Sequence, residues 1–89
     1  MRGVAVTGAF KKDLKRMIKR GCNEEALFEV VELLRKNQKL PTRNRDHWLK
    51  GNYIGRRECH IRPDWLLIYK LEEGFVILER TGTHTDLFD

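Results

Sequence analysis

Two apolar runs in the last third of the chain, Trp65 to Leu71 and Phe75 to Leu78, are separated only by Glu72-Glu73-Gly74. Runs of this length joined by a glycine-containing turn form a β-hairpin, so the two strands must be antiparallel neighbours. The first run is the most apolar stretch of the chain and belongs at the middle of a sheet, covered by helices. Folding the hairpin has a chemical consequence. His60 and Asp64 precede its first strand, and Arg80 and His84 follow its second. Antiparallel pairing therefore gathers two imidazoles, a carboxylate and a guanidinium at one end.

The earlier chain supplies the cover. Val4 and Val6 predict a short opening strand ended by Gly8. Phe10, Leu14, Met17 and Ile18 then follow the i, i+4, i+7, i+8 spacing of one helical face, and Gly21 stops that helix. Lys11, Lys12, Lys15, Arg16, Lys19 and Arg20 fill its other face. Asn23 followed by Glu24 and Glu25 is a helix start, because the amide caps free N–H groups and the carboxylates match the positive end of the dipole. Leu27, Val30, Val31 and Leu34 give the second helix its apolar stripe. Residues 40–47 have no period and contain Pro41, which predicts a basic loop. Trp48 to Gly51 predicts a short strand, and Arg57 to Arg62 a longer one with Cys59 and Ile61 on one side and Glu58 and His60 on the other. Thr81 to His84 reads as a turn or irregular segment, and Leu87-Phe88 as an apolar latch. The predicted order is β-α-α-β-β-β-β. Short connections between the later strands require a mainly antiparallel sheet, so the class is α+β with two N-terminal helices on one face.

The 89 residues make one domain, 1–89, with 40% hydrophobic and 35% charged residues. Neither a disordered chain nor a bilayer-spanning one has this balance. Met1 to Val6 is too short for a signal peptide, which makes the cytoplasm the default compartment and leaves no membrane partner. A formal net charge of +5 favours an anionic partner, whether nucleic acid, an acidic protein or a membrane surface, although charge alone also serves solubility. Cys22 and Cys59 lack paired metal-ligand spacing and read as reduced structural residues.

Histidine both takes and gives protons near neutral pH, and His47, His60 and His84 are the chain's three. Cleavage of RNA without a metal needs a base for the 2′-hydroxyl, an acid for the departing 5′-oxygen and cations for the charge on phosphorus. His60, His84, Asp64 and Arg80 fill those roles by type. Each also has an ordinary reading: a strand-end histidine is commonly a hydrogen-bonded surface residue, and Asp64 after Pro63 suits a turn. A zinc site is disfavoured, because Cys59 alternates away from His60 on a strand and the spacing matches no common finger or ribbon. Lys50, Arg57 and Arg62 are candidates for phosphate contact. Trp65 and Phe88 are candidates for base stacking, with Tyr53 as a further aromatic, while Trp65 suits the core equally well.

At these residues the sequence resembles the YafQ branch of the RelE-like toxins. The resemblance rests on Asp46-His47, Leu49-Lys50-Gly51, the run from Arg57 to Tyr69 and the run from Arg80 to Phe88, with a weaker match at Phe10 to Arg16. It implies a microbial-ribonuclease-like α+β fold and cleavage of mRNA in the ribosomal A site, without a metal or other cofactor. It also implies a cognate antitoxin whose acidic segment covers the site. Carried over by position, it makes His47, His60, Asp64, Arg80 and His84 catalytic, with His84 and Asp64 nearest the scissile phosphate, and gives Trp65 and Phe88 substrate contact. Acid and base are not assigned among the histidines.

Arg56, where relatives often have an aromatic residue, and Trp48, where a small residue or proline is common, depart from the pattern. Lys12, Lys15, Arg43 and Arg45 are the expected ribosome contacts. The alternatives are a catalytically silent RNA- or ribosome-binding module and a structural partner of an acidic protein.

Overall fold

A computed structural model describes residues 1–88. Five strands form one sheet: β1 (Gly3–Val6), β2 (His47–Trp48), β3 (Arg57–Arg62), β4 (Trp65–Glu72) and β5 (Phe75–Gly82). Their spatial order is β1-β5-β4-β3-β2, with β1 parallel to β5 and all other pairs antiparallel. Helices α1 (Gly8–Lys19) and α2 (Glu24–Arg35) lie between β1 and β2, and a third helix, α3 (His84–Phe88), ends the described chain. The α+β class and the two N-terminal helices over one sheet face are as the sequence predicts; α3 is an addition.

The hairpin is longer and tighter than its apolar pattern indicates. Its strands run to Glu72 and from Phe75, so only Glu73 and Gly74 turn, with Gly74 at φ +82°. That angle is open to glycine and strained for a side chain with Cβ. β5 continues through Thr81 and Gly82, which corrects the irregular segment expected there. The polar Thr81 hydroxyl is tolerated in the interior because it accepts from the Trp65 indole N–H (2.8 Å) and donates to the Leu66 carbonyl (2.6 Å).

Gly8 does not end the opening strand; it begins α1. Thr7 is the true boundary, its hydroxyl accepting from the Phe10 N–H at 3.0 Å and capping the helix. Asn23 caps α2 as expected, accepting from Glu25 N–H at 2.9 Å. The short strand expected at 48–51 is instead His47–Trp48, and Gly51–Tyr53 forms a single 3-10 turn. A second 3-10 turn, Thr42–Asn44, replaces part of the predicted loop.

Alternation along the strands divides the interior in two. Cys59, Ile61, Trp65, Leu67, Tyr69, Val76 and Leu78 meet Phe10, Met17, Leu27, Val30, Val31 and Leu34 beneath the helices. Burying each large aliphatic side chain contributes about 1.5–3 kcal/mol, so this layer is the main source of stability. On the opposite face, Leu66 and Ile68 are covered by Leu87 of α3 and by Leu49 and Tyr53. Leu87 is thus the apolar latch, and it roofs the sheet face that carries the histidines.

Candidate active site

Sheet register builds the site. His47 pairs with Glu58, Glu58 with Ile68, and Ile68 with Arg80, which sets four residues in one row across β2, β3, β4 and β5. The adjacent row is His60, Leu66 and Gly82. Directly paired residues point to the same side, so His47, Glu58, His60 and Arg80 rise from the face opposite α1 and α2. Irregularities in pairing between His60 and Arg62, and between Ile68 and Tyr69, flank these rows. Such bulges re-aim side chains near functional sites.

Asp64, in the β3–β4 turn, joins the site through His84. Its Oδ1 accepts from the His84 backbone N–H at 3.0 Å and lies 2.5 Å from His84 Nδ1. An ionised carboxylate only accepts, so Nδ1 carries the proton and Nε2 is left for another partner. The two bonds from His84, the backbone one first, hold the Asp64 pKa below the usual carboxylate value. The His84 ring meets the His60 ring edge-on, with centroids 5.5 Å apart.

Glu58 is the site residue that sequence reasoning passed over. Its buried carboxylate has Oε1 at 3.5 Å from Nε2 of both His47 and His60. The opposite nitrogens of both rings face backbone carbonyls: His47 Nδ1–H donates to Arg45 O (2.7 Å), and His60 Nδ1 lies 3.3 Å from Pro63 O. Each ring thus has a backbone carbonyl at Nδ1 and the shared carboxylate at Nε2. Glu58 shares a strand face with His60, which was visible in the sequence. Its partner His47 was not, because a two-residue strand carries no period.

Arg80 rises from the same row, but its guanidinium rests on buried Asp13, with Nε to Oδ2 at 2.6 Å and NH2 to Oδ1 at 3.1 Å. Asp13 was hidden within the basic face of α1. It also accepts from the Thr81 N–H at 3.2 Å and from Arg16 at 3.0 Å, so its burial is compensated. The Asp13 bond raises the Arg80 pKa further above its ordinary value and holds the cation at the edge of the site.

Two of the expected RNA contacts lie away from the histidine face. Trp65 is 3% exposed within the helix-side core and its N–H is spent on Thr81, so its ring offers no face to a base. Arg57 pairs with Tyr69 on that same helix side; Asp46 binds its guanidinium at 3.0 and 3.2 Å, and its Cζ lies 4.7 Å above the Trp48 ring. Its charge is matched away from the histidines. Tyr69 donates its hydroxyl to the same Asp46, and burial pushes the phenol pKa upward. Burial likewise raises the Cys59 thiol pKa, which keeps that sulfur protonated.

The remaining candidates are accessible. Phe88 is 46% exposed and packs edge-on against Tyr53, centroids 5.8 Å apart. Arg43, Arg45 and Arg62 line a groove of about 440 Å³ that includes His60, and buried Asn44 fixes its floor by donating to the His60 carbonyl at 2.7 Å. Arg43 and Arg45, expected as ribosome contacts, thus border the histidines. Lys50 is exposed beyond β2, and Lys12 and Lys15 lie with Arg16 and Lys19 on the outer side of α1. Arg56, one of the two departures, is bound by Glu79 at 2.6 Å. Among the described residues, no three His, Cys, Asp or Glu side chains are grouped to hold a metal ion.

Comparison with known proteins assigns the family. A family model described as bacterial toxin of type II toxin-antitoxin system, YafQ, matches residues 2–89. The mRNA interferase toxin YafQ of Escherichia coli K12 is 41% identical over 88 residues, covering 98% of this chain and 96% of the relative. The E. coli DinJ-YafQ complex contains a chain that superposes with TM-score 0.91 at 40% identity, with 100% of both chains covered. A metal-bound toxin from Helicobacter pylori superposes with TM-score 0.93 at 38% identity, covering 99% of this chain and 100% of that one. With sequence and fold matched over nearly its whole length, the chain belongs to the YafQ family of toxins of type II toxin–antitoxin systems.

Proposed function

We propose that this chain is an mRNA interferase that cuts mRNA in the ribosomal A site by metal-independent acid–base chemistry. The observation that carries the reading is the Asp64–His84 pair facing His60, with His60 in turn sharing Glu58 with His47. An imidazole fixed through one nitrogen presents the other for proton transfer, an arrangement that contributes about 10²–10⁴-fold to a rate. In the reaction, a base takes the 2′-hydroxyl proton, the 2′-oxygen bonds to phosphorus, and the bond from phosphorus to the 5′-oxygen breaks as an acid protonates the leaving oxygen. The products are a 2′,3′-cyclic phosphate, which can open to a 3′-phosphate, and a 5′-hydroxyl. His47, His60 and His84 are the proton carriers, Asp64 orients His84, and Arg80 supplies positive charge.

Arg62 and Lys50 contact the RNA backbone, and Phe88 stacks on a base. Arg43 and Arg45, with Lys12 and Lys15 on α1, meet the negative ribosomal RNA surface. The site of action is the cytoplasm, where translating ribosomes are. No helix of the described chain is long and apolar enough to cross a membrane. The E. coli DinJ-YafQ complex supports a cognate antitoxin as partner; in this reading an acidic segment of that antitoxin covers the histidine face.

The test is cleavage of a defined mRNA on programmed ribosomes, compared with the same mRNA free in solution, each with and without a chelator selective for transition metals that leaves ribosomal magnesium in place. The proposal expects cuts only on ribosomes and unchanged by chelation. Ribosome binding without cuts would support the silent binding module instead.

A further inference from the structure

Helix α3 begins at His84 and is five residues long, too short to hold its own geometry in water. A side-chain framework holds it. Thr83 Oγ1 accepts from the Asp86 N–H at 3.1 Å, and the Asp86 carboxylate accepts from the Thr83 N–H at 3.0 Å. This is a reciprocal capping box with His84 at the first helical position. Gly82 leaves room for it: a Cβ there would lie 2.9 Å from Asp86 Cβ and 3.0 Å from Oδ2.

The box is itself anchored from the helical layer. Arg20 spans 66 residues of sequence to reach Asp86, with NH1 to Oδ2 at 2.6 Å and NH2 to Oδ1 at 3.2 Å. Among the described residues this is the ion pair that joins α1 to α3. Arg20 is well placed to act as an anchor. It is the C-cap of α1, its N–H donating to Arg16 and Met17 carbonyls at 3.1 Å, and Gly21 follows at φ +93° to end the helix. The fork of a guanidinium on a carboxylate fixes direction as well as distance.

We propose that Arg20 and Asp86 are positioning residues for His84, transmitting the rigid end of α1 to the turn that presents this imidazole to Asp64. Neither touches the reacting atoms. The inference rests on the nuclease reading of His84 for its effect on rate, while the clamp itself is a property of the free protein. Asp86 acts through the capping box, and Arg20 acts through Asp86. Loss of either lets α3 drift relative to Asp64, and small misplacements of a reacting group cost up to about a hundredfold.

The experiment compares Arg20→Met, Asp86→Asn and the double variant, with Arg20→Lys as the conservative control. Asparagine keeps an acceptor for the Thr83 N–H, so Asp86→Asn removes the charge while leaving a cap. Two readouts are taken: single-turnover cleavage on programmed ribosomes across toxin concentrations, and the ring NMR signals of His84 in free protein. Each single variant is expected to lower the saturating rate by about ten- to a hundredfold with the half-saturating concentration unchanged. The double variant falls no further than the worse single one, and Arg20→Lys recovers part of the loss. The His84 signals shift in both single variants. Rates within about twofold of native, with His84 signals unmoved, would overturn the proposal. If the native protein cleaves nothing, the nuclease reading fails, and the His84 signals alone decide whether the clamp exists.

Discussion

His84 Nδ1 lies 2.5 Å from Asp64 Oδ1, although 20 residues and a complete hairpin separate them. The same oxygen takes the His84 backbone N–H, so one carboxylate fixes both the ring and the start of α3. Asp64 is exposed, yet it holds a residue whose own helix is too short to stand alone. A carboxylate in this position orders the site more than it stabilises the fold, because surface ion pairs contribute little to stability.

The pH response of this anchor follows from its sign. Asp64 and Asp86 both have lowered pKa values, Asp64 through the bonds from His84 and Asp86 first through Arg20 and then Thr83. A carboxyl depressed in the folded state contributes stability that is present above its unfolded pKa and lost as pH falls through its folded one. The anchor therefore persists at neutral pH and releases only below about pH 4. Amide exchange and NMR signals of 83–88 are expected to change in that range while β4 and β5 remain protected. Release of α3 above pH 5, before these carboxylates take protons, would contradict the assignment.

Glu58→Gln isolates the shared carboxylate. The amide is of similar size but carries no charge, so both Nε2 atoms lose their anionic partner without a cavity opening. Cleavage on programmed ribosomes is expected to fall about tenfold or more, within the range for impaired acid–base groups. The ring signals of His47 and His60 should move together. Movement of one ring alone would break the bridging arrangement.

Trp65 and Phe88 separate structure from substrate contact. Trp65→Ala empties a core site and is expected to cost about 3–5 kcal/mol in urea unfolding. Phe88→Ala removes a half-exposed ring and should leave unfolding within about 0.5 kcal/mol of native. It should nevertheless weaken binding of single-stranded substrate by about 1–3 kcal/mol, the range of one stacked base. Equal stability losses in the two variants would contradict their different placement.

Much of this geometry was readable from residues 57–88. The β4–β5 hairpin has local apolar runs and a glycine turn, and its pairing alone draws Asp64 toward His84. The helix positions followed from Asn23, Gly21 and the spacing of Leu27 to Leu34. What stayed hidden depended on distant partners. Asp13 sits among lysines in sequence, and its burial is tolerable because Arg80 and the Thr81 N–H, 67 and 68 residues away, join Arg16 in satisfying it. The parallel pairing of β1 with β5 joins Val4 to Val76, and no pattern in Val4 or Val6 announces a partner so distant in the chain. Trp65 opens an apolar strand beside polar residues, so its environment follows from Thr81, which the sequence pattern leaves outside the strand.

Participation of His84 in cutting mRNA is measured by induced expression of the native chain and of His84→Ala, with primer extension on a reporter mRNA. Growth arrest and in-frame cuts are expected from the native chain, and loss of both in a variant that accumulates as folded protein. Cuts that persist at the same positions and rate in His84→Ala would contradict that participation.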